Sequence, residues 1–165
     1  MATLRRATVE DAQALTRLRA FMHEAMGDAP TPEWEVACVA TLRRRLAADD
    51  FVSFVVEQDG TAVAGGVGWL EEHLPSPYQL DGRRGHIASM STDPAYRRRG
   101  YGRDVFRALM AWFAERDIPR VDLRATPYGQ PLYEAEGFKV LGGATMAWTR
   151  PGVRPGMAAG THTAG

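Results

Sequence analysis

The chain has 165 residues, of which 45% are hydrophobic and 24% are charged, and this length and composition are those of a globular domain. Twenty basic residues balance 20 acidic ones, and the zero net charge disfavours a nucleic acid partner. Cys38 is the only cysteine, which excludes an internal disulfide and a CxxC site. The four histidines lack metal-ligand spacing, so we predict no metal site.

The N-terminal segment carries arginines without the apolar run that a signal peptide has. No apolar stretch approaches the roughly 20 residues that a membrane-spanning helix needs. We therefore expect a cytoplasmic protein with no membrane partner.

The first quarter of the chain predicts a strand followed by two helices. A short strand over 3–6 precedes a helix that Thr8 caps, and a second helix begins at Thr31-Pro32. Apolar residues at helical spacing predict the buried sides of these helices, namely Leu15, Leu18, Met22 and Met26 in the first and Trp34, Val39, Leu42 and Leu46 in the second.

The middle of the chain predicts a hairpin and a third strand. Two β-prone segments, 51–58 and 61–71, flank the turn Asp59-Gly60. A proline-containing loop over 72–84 then leads into a strand over 86–92.

The remaining segments alternate between helices and strands. We predict a helix over 100–116, a strand over 121–125 and a short helix over 129–135. Two final strands are predicted over 138–141 and 144–149.

The predicted order of elements is β-α-α-β-β-β-α-β-α-β-β. This order indicates a three-layer α/β fold, with a mixed, largely antiparallel sheet flanked by helices on both faces. We expect a single domain over residues 1–150. A tail over 151–165, rich in Gly, Ala and Pro, is expected to be disordered.

A run of arginines and glycines follows the strand over 86–92 and opens the third predicted helix. Gly100 and Gly102 lack Cβ atoms, so phosphate oxygens can approach their amides at the positive end of the helix macrodipole. Four arginines surround them: Arg97, Arg98, Arg99 and Arg103. These residues predict a pyrophosphate site. Lys139 is the only lysine, which excludes a P-loop, and Val105 stands where a dinucleotide fingerprint needs Gly or Ala.

Two motifs together resemble a known enzyme superfamily. Arg97-x-x-Gly100-x-Gly102, preceded by Asp93-Pro94-x-Tyr96, is similar to the [Q/R]-x-x-G-x-[G/A] signature of the GNAT N-acetyltransferases. Leu132-Tyr133-Glu134-x-x-Gly137-Phe138 resembles their LYxxxGF motif. The resemblance covers about 86–138 and implies transfer of an acetyl group from acetyl-CoA to an amine. The asparagine that many members have before LYxxxGF is missing, because the chain contains none.

The resemblance also implies roles for individual residues. The strand that ends near Thr92 would splay from its neighbour, and backbone groups of Met90, Ser91 and Thr92 would bind the pantetheine arm. The pyrophosphate would lie against seven residues: Arg97, Arg98, Arg99, Gly100, Tyr101, Gly102 and Arg103. Tyr133 would be the general acid that protonates the thiolate of coenzyme A, which is chemistry suited to a phenol. The backbone N–H of Met90 is a candidate partner for the thioester oxygen.

The base that deprotonates the amine stays open among three residues, each of which is equally interpretable as a surface residue. These are Glu71, Glu72 and His86, of which we place Glu72 and His86 in the predicted catalytic set beside Tyr133.

The acceptor is expected to be a primary amine of a small molecule, a peptide or a protein, in a pocket that the loop over 71–84 shapes. Trp34, Trp69 and Tyr78 are candidates for the pocket wall, with core packing the alternative for both tryptophans. Acidic residues of the loop hint at a cationic amine, whereas Cys38 is interpreted as a small buried apolar residue. Two other functions stay open, a non-catalytic acyl-CoA sensor and a transferase for a longer acyl group. The resemblance also allows a homodimer.

Overall fold

The computed structural model describes residues 1–154 of the chain. They belong to two compact units, Met1–Thr126 and a second one that begins at Pro127. The single domain expected over residues 1–150 stays a prediction. The predicted tail lies outside the described residues from 155 onward.

The observed elements match most of the predicted ones to within a few residues. The strands of the first unit are β1 (Ala2–Arg6), β2 (Phe51–Gln58), β3 (Thr61–Glu72), β4 (Arg83–Thr92) and β5 (Val121–Leu123). Its helices are α1 (Ala12–Ala25), α2 (Pro32–Leu46) and α3 (Tyr101–Ala114), and the second unit contains α4 (Gln130–Ala135). Short 3-10 turns lie at Val9–Asp11 and Pro94–Tyr96. No helix within residues 1–154 has the length and apolar character that crossing a membrane requires.

The five strands form one sheet in the order β1-β2-β3-β4-β5. The first four pair antiparallel, whereas β5 runs parallel to β4, which confirms the predicted mixed, largely antiparallel sheet. The ladder between β4 and β5 covers only Gly85, His86 and Ile87. β5 therefore leaves the last part of β4, 88–92, uncovered, and this gap is the splay expected near Thr92.

A bulge interrupts β4 just before that gap. Gly66 of β3 faces two residues of β4, Ser89 and Met90, where regular pairing would place one. Ser89 has φ 54°, in the left-handed region. Because of the extra residue, Ala88 and Ser89 both face the same side of the sheet instead of alternating.

Helix α3 packs closely on one face of the sheet. Its inner side chains are at most 1% exposed: Val105, Phe106, Leu109 and Phe113. Glycines on β3 and β4 allow this approach, because a Cβ atom at Gly85 would overlap the Phe113 ring and one at Gly68 would press against it. This face is a filled core.

The opposite face carries α1 and α2 and is less filled. Leu15 and Leu18 of α1 are buried against the sheet, but α2 has no fully buried residue. The predicted buried side of α2 is therefore only half-buried at Trp34 and Leu42. The reason is a cavity between this helix and the sheet, which these side chains line.

The two predicted final strands are wrong. The structure has no strand over 138–141 or 144–149, and Val140, Met146 and Trp148 are 75%, 89% and 81% exposed. Alternating apolar residues fit a half-buried strand, but a strand also needs a partner for its backbone hydrogen bonds, and the pattern does not supply one.

Candidate active site

A cavity of about 720 Å³ lies between the sheet and the pair of helices α1 and α2. Most of its wall is apolar and comes from Leu15, Leu18, Trp34, Cys38, Leu42, Phe51, Val67 and Trp69. Trp34 and Trp69 thus lie where a pocket was predicted, whereas Tyr78 is 99% exposed and does not line it. Cys38 is half-buried in the wall and is not the fully buried residue that we expected.

The bulge of β4 reaches this cavity. Ala88 and Ser89 form part of its wall, and the Oγ atom of Ser89 accepts a hydrogen bond from the guanidinium of Arg19. Two residues further on, the Oγ atom of Ser91 donates to the backbone oxygen of Leu18 over 2.6 Å. α1 is therefore bound to β4 at the point where β5 no longer covers that strand.

A polar cluster borders the cavity through Trp69. The indole Nε1 of Trp69 donates to Oε1 of Glu71 over 2.9 Å, and Nε2 of His73 lies 2.8 Å from Oε2 of the same carboxylate. The His86 ring stacks on Trp69 with centroids 4.6 Å apart, and its Nδ1 is 4.0 Å from Oε1 of Glu71. The arrangement brings one carboxylate and two imidazoles together beside the cavity.

The cluster keeps Glu71 ionised. The hydrogen bond to His73 lowers the pKa of Glu71, and the bond from Trp69 and the nearby His86 act in the same direction against the opposing effect of burial. Among residues 1–154, no three His, Cys, Asp or Glu side chains are placed to hold a metal ion.

Of the three residues considered for the base, Glu71 and His86 belong to this cluster and Glu72 does not. Side chains alternate along a strand, so the carboxylate of Glu72 lies on the opposite side of β3 from Trp69 and Glu71. Glu72 is also exposed. The register thus sets Glu72 apart from Glu71 and His86, and the assignment of the base stays a prediction.

The glycines at the start of α3 leave open space. Gly100 has φ 84°, a left-handed conformation that suits glycine, and no atom lies within 4 Å of where its Cβ would be. At Gly102 the nearest such atom is Oγ1 of Thr92, at 3.8 Å. The backbone amide of Asp104 donates to the carbonyl oxygen of Gly100, so the amides that precede it belong to the first turn and have no acceptor within the helix. This geometry can receive an anion.

The loop before α3 is held by Asp93. Its Oδ1 accepts a hydrogen bond from the Ala95 amide over 3.0 Å, and its Oδ2 lies 3.0 Å from Nη1 of Arg17 on α1. The predicted phosphate arginines follow on this loop, where Arg97, Arg98 and Arg99 are exposed. Tyr101, at the first position of α3, donates its hydroxyl to Gln58 over 3.0 Å.

Tyr133 lies in the second unit, on α4. It is buried, with 8% of its surface exposed, and burial raises the pKa of its phenol. Its ring lies 6.4 Å from that of Phe138, and the Phe138 amide donates to the backbone carbonyl oxygen of Tyr133 over 3.0 Å. A phenol with a raised pKa stays protonated at neutral pH.

Three residues near the cavity were not singled out from the sequence. They are Arg19 and Ser89, which meet at the bulge, and His73, which binds Glu71. The alternation Trp69-x-Glu71-x-His73 runs from the end of β3 to the residue after it and indicates that these three side chains share one side, so this pattern was a usable signal for His73. No comparable pattern in the sequence predicts the bulge that turns Ser89 to the cavity.

The family model described as the acetyltransferase (GNAT) family matches residues 19–138. No curated protein sequence matches the chain. Among solved structures, a GCN5-related N-acetyltransferase from Ralstonia eutropha is 28% identical, with a TM-score of 0.77 and coverage of 90% of this chain and 99% of that one.

Two further structures share the fold. One, described as a predicted acetyltransferase from Clostridium acetobutylicum, contains acetyl-CoA; it is 24% identical, with a TM-score of 0.77 and coverage of 91% and 95%. Glucosamine-6-phosphate N-acetyltransferase from Arabidopsis thaliana is 19% identical, with a TM-score of 0.69 and coverage of 91% and 99%. Since the family model matches well over half of the chain, the protein belongs to the acetyltransferase (GNAT) family, which confirms the predicted family and enzyme class.

Proposed function

We propose that the protein transfers the acetyl group of acetyl-CoA to the primary amine of a small molecule, by direct attack while both substrates are bound. Family membership supports the reaction, and the acetyl-CoA in the Clostridium structure of the same fold supports the cosubstrate. The observation that carries the proposal is the bulge of β4. Ser89 at this bulge lines the cavity on one side and belongs to the segment of β4, 88–92, that β5 leaves uncovered.

The cosubstrate is assigned to β4 and the start of α3. The pyrophosphate fits the open space at Gly100 and Gly102, with the exposed arginines 97–99 adding positive charge. The pantetheine arm is assigned to backbone groups of Met90, Ser91 and Thr92, along the uncovered edge of β4. The Met90 amide is the proposed donor to the thioester oxygen.

The acceptor amine is assigned to the cavity, with His86 as the base. His86 lies on the cavity side of β4 and contacts Trp69 in the cavity wall. Glu71 stays ionised beside His86 and is suited to stabilise the imidazolium that forms when the amine proton is taken up. Glu71 therefore replaces Glu72 in the proposed site, as a positioning residue.

Tyr133 is the proposed acid. Acetyl-CoA, when bound, supplies the acetyl group and a thiolate leaving group, so that an N–C bond forms as the C–S bond breaks. Tyr133 gives its phenolic proton to the thiolate, and its raised pKa keeps that proton available at neutral pH.

The test is release of free coenzyme A thiol with a panel of primary amines, using the wild type and Tyr133→Phe. We expect amine-dependent release by the wild type, at least a hundredfold slower in Tyr133→Phe, with binding of acetyl-CoA retained. Binding of acetyl-CoA without turnover of any amine would instead identify a sensor of acyl-CoA.

A further inference from the structure

The charges in the cavity wall are all of one sign. Three arginines line the cavity, Arg19, Arg44 and Arg45, and no Asp or Glu of residues 1–154 is among the lining residues. Arg45 is balanced by Asp50, whose Oδ1 lies 3.5 Å away, and it stacks over the Phe51 ring at 4.9 Å. Arg44 is exposed. Of these three arginines, Arg19 is the one that, within the described part of the chain, is neither exposed nor paired with a carboxylate, so its place in the wall needs an explanation.

Arg19 is half-buried on α1, and within residues 1–154 it has no carboxylate partner. Its guanidinium donates a hydrogen bond to the neutral hydroxyl of Ser89. A guanidinium beside apolar side chains loses hydration, and this cost is offset when an anion binds to it. Its planar array of N–H donors matches a carboxylate in particular.

The position of Arg19 limits where that anion lies. Arg19 contacts Ser89, and the next residue, Met90, is the proposed partner of the reacting thioester. An anion on Arg19 is therefore close to the place where the amine must attack. A small amine that carries a carboxylate near its amino group is an amino acid.

The rest of the wall selects the side chain of this amino acid. Trp34, Phe51 and Trp69 present aromatic rings to the cavity, together with several aliphatic residues. A cavity of about 720 Å³ lies in the range of roughly 300–1,000 Å³ that small-molecule sites occupy. Aromatic walls favour a large apolar group, since burial of such a group is what they stabilise.

Resting on the proposed function, we propose that the acceptor is an amino acid with a large apolar or aromatic side chain, whose carboxylate binds Arg19. This differs from the cationic amine that the acidic loop residues suggested. Of those residues, Glu71 borders the cavity through Trp69 without lining it, whereas the arginines line it. A polyamine would bring several positive charges to a wall that already carries them and is disfavoured.

The first test compares amines that differ in one group. L-phenylalanine and phenethylamine share the aromatic body and the amine, and only phenylalanine has the carboxylate. We expect kcat/KM of the wild type to be about tenfold to a hundredfold higher for phenylalanine, the usual effect of a charge-assisted hydrogen bond. Equal or faster acetylation of phenethylamine or spermidine would overturn the assignment.

The second test assigns the preference to Arg19. In Arg19→Gln the preference for phenylalanine over phenethylamine is expected to fall to about one, with acetyl-CoA affinity unchanged. Arg43→Gln is the matched control, because Arg43 is exposed on α2 and does not line the cavity, and it retains the preference. Weaker binding of acetyl-CoA to a folded Arg19→Gln variant would assign Arg19 to the cosubstrate and contradict the proposal.

The third test needs no turnover. Cys38, the only cysteine, lines the cavity, so its alkylation by iodoacetamide, followed by intact mass, reports on occupancy. Phenylalanine is expected to slow alkylation more than phenethylamine does, and the difference is lost in Arg19→Gln. Such protection without acetylation of any amine would support the ligand class and overturn the proposed function. Acetylation of amines without a difference in protection between phenylalanine and phenethylamine would support the proposed function and overturn the assignment of the ligand class.

Discussion

The two faces of the sheet in the first unit differ in how they are filled. Under α3, Phe106, Leu109 and Phe113 are at most 1% exposed, and glycines on the strands allow the helix to pack closely. Under α1 and α2 the same strands border a cavity of about 720 Å³, and α2 buries no residue fully. One face is a core, and the other leaves room for a substrate.

The difference assigns separate tasks to the faces. The α3 face supplies the packing that stabilises the sheet. The first turn of α3 lies beside β4, where Oγ1 of Thr92 is 3.8 Å from the Cβ position of Gly102. The cavity face carries the polar groups that a reaction needs, His86 and Glu71, next to aromatic walls. Changes on the first face should therefore alter stability, and changes on the second should alter activity.

The largest expected effect is on stability at the α3 face. Phe113→Ala removes a ring that lies against Gly68 and Gly85, and we expect a loss of about 3–5 kcal/mol in the free energy of unfolding. Urea denaturation measures this loss. Leu42→Ala on the cavity face is the matched comparison, with an expected loss of about 1 kcal/mol. Equal losses would remove the distinction between the faces.

The next effect is on catalysis at the cavity face. His86→Gln is expected to lower kcat by about a hundredfold, because the proton acceptor is lost. The change in unfolding free energy is expected to be small, because the Gln amide can still pack against Trp69 although the ring stacking is lost. Steady-state kinetics with the best amine measures the fall in kcat. Glu72→Gln distinguishes His86 from Glu72 as the base. The variant retains activity if Glu72 faces away from the cavity, as the register indicates, and loses activity if Glu72 is the base.

The smallest expected effect is on the pH dependence of stability. The pKa of Glu71 is lowered in the folded state, so its ionised form stabilises the fold above the ordinary pKa of a glutamate. This contribution is lost as the pH falls through the lowered value. Thermal melts at decreasing pH should show a shallower acid-side decline for Glu71→Gln than for the wild type. An unchanged decline would show that Glu71 does not couple to its neighbours.

Local signals in the sequence were enough for most of the fold. The turn Asp59-Gly60 predicted the β2–β3 hairpin, and Thr31-Pro32 predicted the start of α2, because such residues act within a few positions. The strands over 138–141 and 144–149 failed because pairing depends on a distant partner that alternation cannot identify.

The features of the candidate site likewise divide into those that a local motif predicted and those that depend on how distant segments pack and pair. The glycines that begin α3 were predicted from a local motif, and their open geometry fits the predicted role. A pocket with Trp34 and Trp69 in its wall was predicted, but its extent along α2 was not, since apolar spacing is the same for a helix that packs and for one that lines a space. The choice of Glu71 over Glu72 and the approach of Arg19 to Ser89 depend on register and on a bulge, which arise only when strands pair.

The central claim is that the start of α3 binds the pyrophosphate of acetyl-CoA, and calorimetric titration tests it most directly. The wild type, Gly102→Asp and Gly102→Asn are compared, because both variants add a side chain of similar size and only Asp adds a negative charge. We predict roughly micromolar binding to the wild type and at least a tenfold weaker affinity for the Asp variant than for the Asn variant. No binding to the folded wild type, or equal affinities of the two variants, would contradict the account.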